Sequence, residues 1–382
     1  MSWRFEAVAH SLVSSVLSKL EPRTIFLFGE KLGKWIWPLM KKRQVTIFRN
    51  LRIALDERHS LEEIREMARE SFVRTVANLL CSSASEGATR AQIGDMMRIE
   101  NPEVLHAAVK KGKGVVILLG HMGNWELLTQ IRDFFPDGTK LGAFYRPLNN
   151  PILNERVLKQ RESDGTKLFS KRDSLHHVAG FLRENGVIGI LSDQRAGLQG
   201  QVAPYFGRLT RVSPLPSLLV RRCKSEVVAF SMRTEEPGKW VVRCHSVERP
   251  ANPINCTKAV ETAMRVSVMD VFWLQERWKV YLSPKSTPSG WLGGDDTRSE
   301  KPHRAIVWRE REEADCALPD GSLHNDIRYD HVTGQDPSVL RELDEQEQLP
   351  IDFILCFSDH PRLQKQAAEL GIPVYPVSRY SK

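Results

Sequence analysis

Apolar positions recur along this chain with two periods, and the switches between them mark its elements. Between Gly114 and Gly120 the run Val115-Val116-Ile117-Leu118-Leu119 contains no polar side chain. A Val/Ile/Leu run of that length, bounded by glycines, reads as a strand buried on both faces. Val187-Ile188-Gly189-Ile190-Leu191, running into Ser192-Asp193-Gln194, reads as a second such strand. Lys140 to Tyr145 reads as a third. Val227 to Met232 and Trp240 to Cys244 read as a hairpin turning at Pro237-Gly238. Helical spacing appears at Leu61, Ile64, Ala68, Phe72, Val76 and Leu79, behind the capping box Ser60-Leu61-Glu62-Glu63. Further helices are expected from Asn101-Pro102 to about Gly112, over 151–162 and over 257–274. Strands alternating with helices predict an α/β fold.

The two ends of the chain depart from this order. In residues 1–58 an amphipathic helix is expected around Ala7 to Leu17. Beyond it, Ile25-Phe26-Leu27-Phe28, Trp35-Ile36-Trp37 and Leu39-Met40 interleave with Lys31, Lys34 and Lys41-Lys42-Arg43. Aromatics beside lysines on an amphipathic segment read as a basic helical region for membrane contact, although the same aromatics can simply pack on the core. Residues 59–282 form the expected core and 283–304, rich in Ser, Pro and Gly, a linker. Residues 305–382 read as a small acidic α/β appendage: helix 338–348, strand 351–357, helix 362–370, strand 374–377.

Composition narrows the choice of partner. The net charge of +8 suits an acidic partner: nucleic acid, an anionic membrane or an acidic carrier protein. Six cysteines lie scattered without a C-x2-C pair, which fits a reducing compartment and gives a zinc ribbon little support. No stretch approaches the ~20 apolar residues of a membrane span, and no signal-peptide pattern opens the chain.

The candidate chemistry lies where the first buried strand ends. Gly120-His121-Met122-Gly123-Asn124-Trp125-Glu126 places a His just past the strand and a Glu five residues on. On one regular helix five residues turn about 500°, so the two side chains would diverge by about 140°. They meet only if His121 lies in the turn before a helix, which the flanking glycines permit. A carboxylate on one imidazole nitrogen fixes the tautomer, and the other nitrogen can take a proton from a substrate hydroxyl. Such a pair, a base with its orienter, suits an alcohol brought by the substrate. Asp193, at the end of the second strand, is expected beside the site. Arg146, Arg156 and Arg161 are of the type that binds phosphate oxygens. His176-His177 lacks matched carboxylate spacing and reads as exposed. Pro204-Tyr205-Phe206-Gly207-Arg208 reads either as the lining of an acyl pocket or as core cover.

The His121–Glu126 block resembles the H-x4-D/E signature of glycerolipid-type acyltransferases, in the Gly-Asn-Trp-Glu form of lipid A biosynthesis late acyltransferases. Tyr145-Arg146-Pro147-Leu148-Asn149-Asn150-Pro151, Ser192-Asp193-Gln194, Pro204-Tyr205-Phe206-Gly207 and Arg277-Trp278-Lys279 resemble further blocks of that family, in its order, over roughly residues 20–285. Gln275 stands where the family usually has His. The resemblance implies a glycerolipid acyltransferase-like mixed central sheet flanked by helices. It also implies an acyltransferase taking its acyl chain from an acyl carrier protein thioester. The implied acceptor is a hydroxyl of a lipid A precursor, and the place of work is the cytoplasmic face of the inner membrane, peripherally. His121 and Glu126 would be catalytic, and Gly123, Asn124, Arg146, Arg161 and Asp193 would bind substrate. Neither metal, cofactor nor nucleic acid is expected. The alternatives are an acyltransferase for another lipid acceptor, a thioesterase, and a non-catalytic basic membrane-binding or nucleic-acid-binding module. The absence of a G-x-S-x-G elbow disfavours a serine thioesterase.

Overall fold

The computed structural model describes residues 3, 14–55, 57–85, 88–145, 147, 150–162, 165–170, 173–280, 287–293, 298–310 and 323–377. The first expected helix lies mostly outside them, with Ser14–Leu17 helical. Leu148 and Asn149 also lie outside them. Among the described residues no helix is long and apolar enough to cross a membrane. The strands begin with β1 (Met97–Glu100), β2 (Val115–Leu119), β3 (Leu141–Tyr145), β4 (Lys167–Ser170), β5 (Val187–Leu191), β6 (Gln201–Tyr205) and β7 (Arg208–Val212). They continue with β8 (Glu226–Glu236), β9 (Lys239–Ser246), β10 (His303–Arg309), β11 (Ile327–Thr333), β12 (Phe353–Cys356) and β13 (Val374–Pro376). The chain divides into two compact units. One comprises Met1–Trp37, Glu70–Asp193 and Pro214–Phe272; the other comprises Pro38–Arg69, Gln194–Ser213 and Trp273–Lys382.

The first unit is built on a seven-stranded mixed sheet of order β1-β9-β8-β2-β5-β3-β4. Only the β8–β9 hairpin is antiparallel. The all-apolar runs occupy the middle: β2 lies between β8 and β5, where both faces are covered. Ile117 sits opposite Gly189, and Gly189 opposite Ala143. With a side-chain period of two, Ile117, Leu119, Ala143, Tyr145, Gly189 and Leu191 therefore share one face.

Helix Pro22–Ile36 lies flush against the helix containing Val73 and Ala77, because a Cβ on Gly29 would come within 2.6 Å of Ala77 Cα and one on Gly33 within 2.9 Å of Val73 Cα. That contact buries Ile25 and Phe26 and leaves an opposite stripe of Arg23, Leu27, Phe28, Lys31, Lys34 and Trp35 exposed. The aromatics of this region thus divide: some are core, others face solvent. Two helices differ from expectation. The one expected over 257–274 runs Pro253–Arg265 and gives way to a short 3-10 turn, Val268–Asp270. The segment after the His motif is also a 3-10 turn, Trp125–Thr129, rather than an α-helix.

The second unit holds a four-stranded parallel sheet of order β11-β10-β12-β13. β12, helix Pro361–Glu369 and β13 fall where the pattern of 351–377 puts them, whereas the helix expected over 338–348 is shorter, Leu340–Glu345. The pattern did not reveal β10 and β11. Helix Lys41–Ala54 belongs here, with Ile47, Asn50, Leu51 and Arg52 buried, so this part of the basic N-terminal region is core. Arg52 pairs with Asp344, and Arg208 Nη1 donates to both Asp352 oxygens at 3.0 and 3.1 Å. Burial alone would raise the Asp352 carboxyl, yet Arg208 and His303 hold it well below the usual carboxylate range. The stretch 283–304, read as a linker, contains helix Pro288–Leu292, whose Trp291 and Leu292 are buried.

The candidate active site

In parallel neighbours, residues at equal offsets beyond the strand ends come side by side. Leu119 is opposite Leu191, so two residues further on His121 meets Asp193. Asp193 Oδ1 lies 2.6 Å from His121 Nδ1. An ionised carboxylate only accepts, so Nδ1 carries the proton and Nε2 presents its lone pair. The Asp193 side chain is fully buried and that of His121 is 14% exposed.

The carboxylate bonded to Nδ1 is therefore that of Asp193, where the sequence pattern pointed to Glu126. The reason is geometric: the parallel register sets Asp193 beside the ring, while Glu126 sits in the first turn of the 3-10 segment. Glu126 lines an apolar cleft of about 750 Å³, open solvent included.

The turn that carries His121 is pinned from behind. Met122 pairs with Val271 in an antiparallel bridge. Phe272 N donates to His121 O at 2.8 Å, and Gly123 N donates to Asp270 O at 2.9 Å. Gly123 has φ +58°, and an added Cβ would sit 3.1 Å from Met232 O, so the turn requires glycine. Asp270 is itself held: Thr234 N, Thr234 Oγ1 and Ser267 Oγ donate to its carboxylate at 3.0, 2.5 and 2.6 Å. Asn124 is fully buried; its Oδ1 accepts from Ser82 Oγ at 2.6 Å, and its Nδ2 has no partner among the described residues. Gly123 and Asn124, expected to bind substrate, each make a bond that holds the turn.

Trp125 connects His121 to the cleft. Its ring meets the imidazole edge-on at 5.3 Å and Phe272 at 5.5 Å, and it lines the cleft. The floor of the cleft is the shared sheet face of Ile117, Leu119, Ala143, Gly189 and Leu191. Alternation along β2 and β5 carries that same face to His121 and Asp193. Gly189 and Ala143 lower the floor in its middle. Tyr205 and Phe206, candidates for an acyl pocket, instead pack with Trp273 and Trp278 as core. They close the β6–β7 hairpin, whose turn has positive φ at Phe206 and Gly207.

Arg146 lies outside the described residues; of Arg156 and Arg161 the structure describes only the backbone, in helix Pro151–Glu162. His176 and His177 are exposed. Among the described residues no group of three or more His, Cys, Asp or Glu is arranged to hold a metal. Burial pushes the Cys81 and Cys244 thiols up to about 12 and Cys256 to about 11, so none is a ready nucleophile. The pairing of His121 with Asp193 was available from sequence: both strands are five residues long, and each polar residue stands two beyond its strand. The roles of Asp270, Ser82 and Phe272 carry no comparable signal.

A family model described as bacterial lipid A biosynthesis acyltransferase matches residues 6–280. No curated protein matches the chain.

Proposed function

From the premise that this chain belongs to the bacterial lipid A biosynthesis acyltransferase family and is an acyltransferase, we propose that it moves a fatty acyl group from an acyl carrier protein thioester to a hydroxyl of a lipid A precursor. His121 Nε2 takes the proton of that hydroxyl as its oxygen attacks the thioester carbonyl. Asp193 holds the ring through Nδ1 and balances the imidazolium. The tetrahedral intermediate collapses, the C–S bond breaks, and the imidazolium returns its proton to the leaving thiolate. No acyl-enzyme forms. Asn124 Nδ2, buried and without an acceptor, is the candidate donor to the oxyanion. Glu126 supplies a second carboxylate at the cleft wall, and Arg146 and Arg161 take phosphate oxygens of the acceptor.

One observation carries this reading: a buried carboxylate fixes an imidazole whose ring meets Trp125, a wall of an apolar cleft. Water is a poor occupant of such a cleft, whereas a fatty chain buries its methylenes there at about 0.8 kcal/mol each. The exposed stripe of Leu27, Phe28 and Trp35 beside Arg23, Lys31 and Lys34 fits an anionic membrane surface, as an enzyme with a lipid acceptor requires. The test is reconstitution of the full chain with several acyl carrier thioesters and a purified lipid A precursor, read by product mass. A product heavier by one acyl group supports the reading. Thioester hydrolysis with unmodified precursor, or transfer only to another lipid, refutes it.

A further inference from the structure

Asp270 is buried and takes no part in the reaction above, yet its carboxylate gathers bonds from three separate pieces of the first unit. Oδ2 accepts from Thr234 N at 3.0 Å and from Ser267 Oγ at 2.6 Å. Oδ1 accepts from Thr234 Oγ1 at 2.5 Å and, more weakly, from Asn78 Nδ2 at 3.5 Å. Arg74 Nη1 lies 3.9 Å from Oδ1. Ser71, Arg74 and Asn78 follow at steps of three and four residues along helix Leu61–Ala84, so they share one face. From that face Ser71 Oγ donates to Val271 O at 3.3 Å. Thr234 belongs to β8, which pairs with β2 and places Phe230 opposite Leu119. Asp270 therefore ties the turn Val268–Asp270 both to a helix and to the strand beside the one that carries His121.

The backbone passes this anchoring on. Residues 270–272 meet 123–121 one for one: Gly123 N donates to Asp270 O at 2.9 Å, Met122 bridges Val271, and Phe272 N donates to His121 O at 2.8 Å. The main chain of His121 is thus set from one side, and its ring is set from the other by Asp193. We propose that Asp270 is a positioning residue, whose carboxylate holds 270–272 in place and thereby keeps His121 Nδ1 on Asp193 and Nε2 aimed at the substrate hydroxyl. The margin is small. A shift of about 1 Å in the His121 main chain would take the 2.6 Å contact with Asp193 beyond hydrogen-bond range. The aim of Nε2 at a hydroxyl rests on the acyltransferase reading; the hold on the Nδ1 contact does not.

The experiment uses the full chain. Nitrogen-15 NMR of histidine-labelled protein reads the tautomer of each ring, and His121→Ala assigns the His121 peaks. Wild type should carry the proton on Nδ1. Asp270→Ala leaves Thr234 and Ser267 without their acceptor; it should show both tautomers of His121, and kcat for acyl transfer should fall by about 10²-fold with KM within about threefold of wild type. Asp270→Asn should restore the tautomer and most of kcat, because its oxygen can replace Oδ2 and the Thr234 hydroxyl can turn to accept from the amide. If a melting curve shows that Asp270→Ala does not fold, Thr234→Val decides in its place: it removes one donor at nearly constant shape and should move tautomer and kcat in the same direction. Wild-type tautomer and kcat in the deciding variant overturn the proposal. A raised KM with the tautomer intact overturns it in favour of a role in binding, and equal losses in Asp270→Asn and Asp270→Ala overturn it in favour of the charge itself. A wild type protonated on Nε2 overturns it together with the pairing it builds on. The expected tautomer changes in a protein that transfers no acyl group would leave the positioning role standing and sink the acyltransfer reading instead.

Discussion

Replacing Asp193 by Asn keeps the shape of the side chain and removes its charge, which makes Asp193→Asn the most informative single change. The carboxylate sits 2.6 Å from His121 Nδ1 with no solvent exposure of its own. Bonds to a buried charge contribute about 1.5–3 kcal/mol, against about 1 kcal/mol for a neutral pair. The carboxamide can also donate to Nδ1, which would place the proton on Nε2 and abolish the base. Together these raise the barrier by about 3–4 kcal/mol, or roughly 10²- to 10³-fold in rate at 1.36 kcal/mol per decade. Initial rates of acyl transfer over a range of thioester and acceptor concentrations measure it, alongside a melting curve to confirm the fold. Glu126→Gln is the comparison; as a cleft-wall residue it should raise KM more than it lowers kcat. Asp193→Asn retaining activity within about threefold, while Glu126→Gln loses about 10²-fold or more, would refute the assignment of the orienting carboxylate.

Other consequences are equally open to measurement. Asp352→Asn leaves the buried Arg208 without its counter-charge and should destabilise the chain by about 3–5 kcal/mol in denaturant titrations; a change under about 1 kcal/mol would contradict this. Because the folded Asp352 carboxyl titrates below its unfolded value, its contribution is present above about pH 4 and lost as pH falls below that. Wild-type stability should therefore drop there more than that of Asp352→Asn. Phe28→Ser with Trp35→Ser, at 54% and 73% exposure, should weaken binding to anionic vesicles several-fold without lowering the melting temperature; unchanged flotation would remove the membrane role. Gly189→Val raises the cleft floor beside Leu119, so preference should shift to shorter acyl chains; an unchanged chain-length profile would place the acyl group elsewhere.

What could be read in sequence was whatever depends on neighbours along the chain. β2, β5 and the β8–β9 hairpin announce themselves by apolar runs and a Pro-Gly turn, and the helix after Ser60 by its stripe and its cap, seen in the Ser60 N to Glu63 Oε2 bond at 2.7 Å. His121 stood out because a strand end is where an α/β sheet exposes chemistry. Proximity in sequence points to Glu126 as its partner, whereas strand register puts Asp193, 72 residues away, on Nδ1. Arg52 lies in the basic N-terminal region expected at a membrane, yet it is buried on Asp344, a partner 292 residues distant. β10 escaped notice for a related reason: His303, Arg304 and Arg309 interrupt its apolar pattern, and the carboxylates Asp352 and Asp330 that satisfy two of them lie elsewhere in the chain. Pairings of this kind leave no local periodicity behind.

The most direct measurement compares wild type with His121→Ala in a single-turnover assay, with enzyme in excess over a labelled acyl carrier thioester and with acceptor present. If Nε2 is the base, the transfer rate falls by about 10²- to 10⁴-fold while the thioester still binds. A variant that transfers acyl groups within about tenfold of the wild type would show that proton removal happens elsewhere.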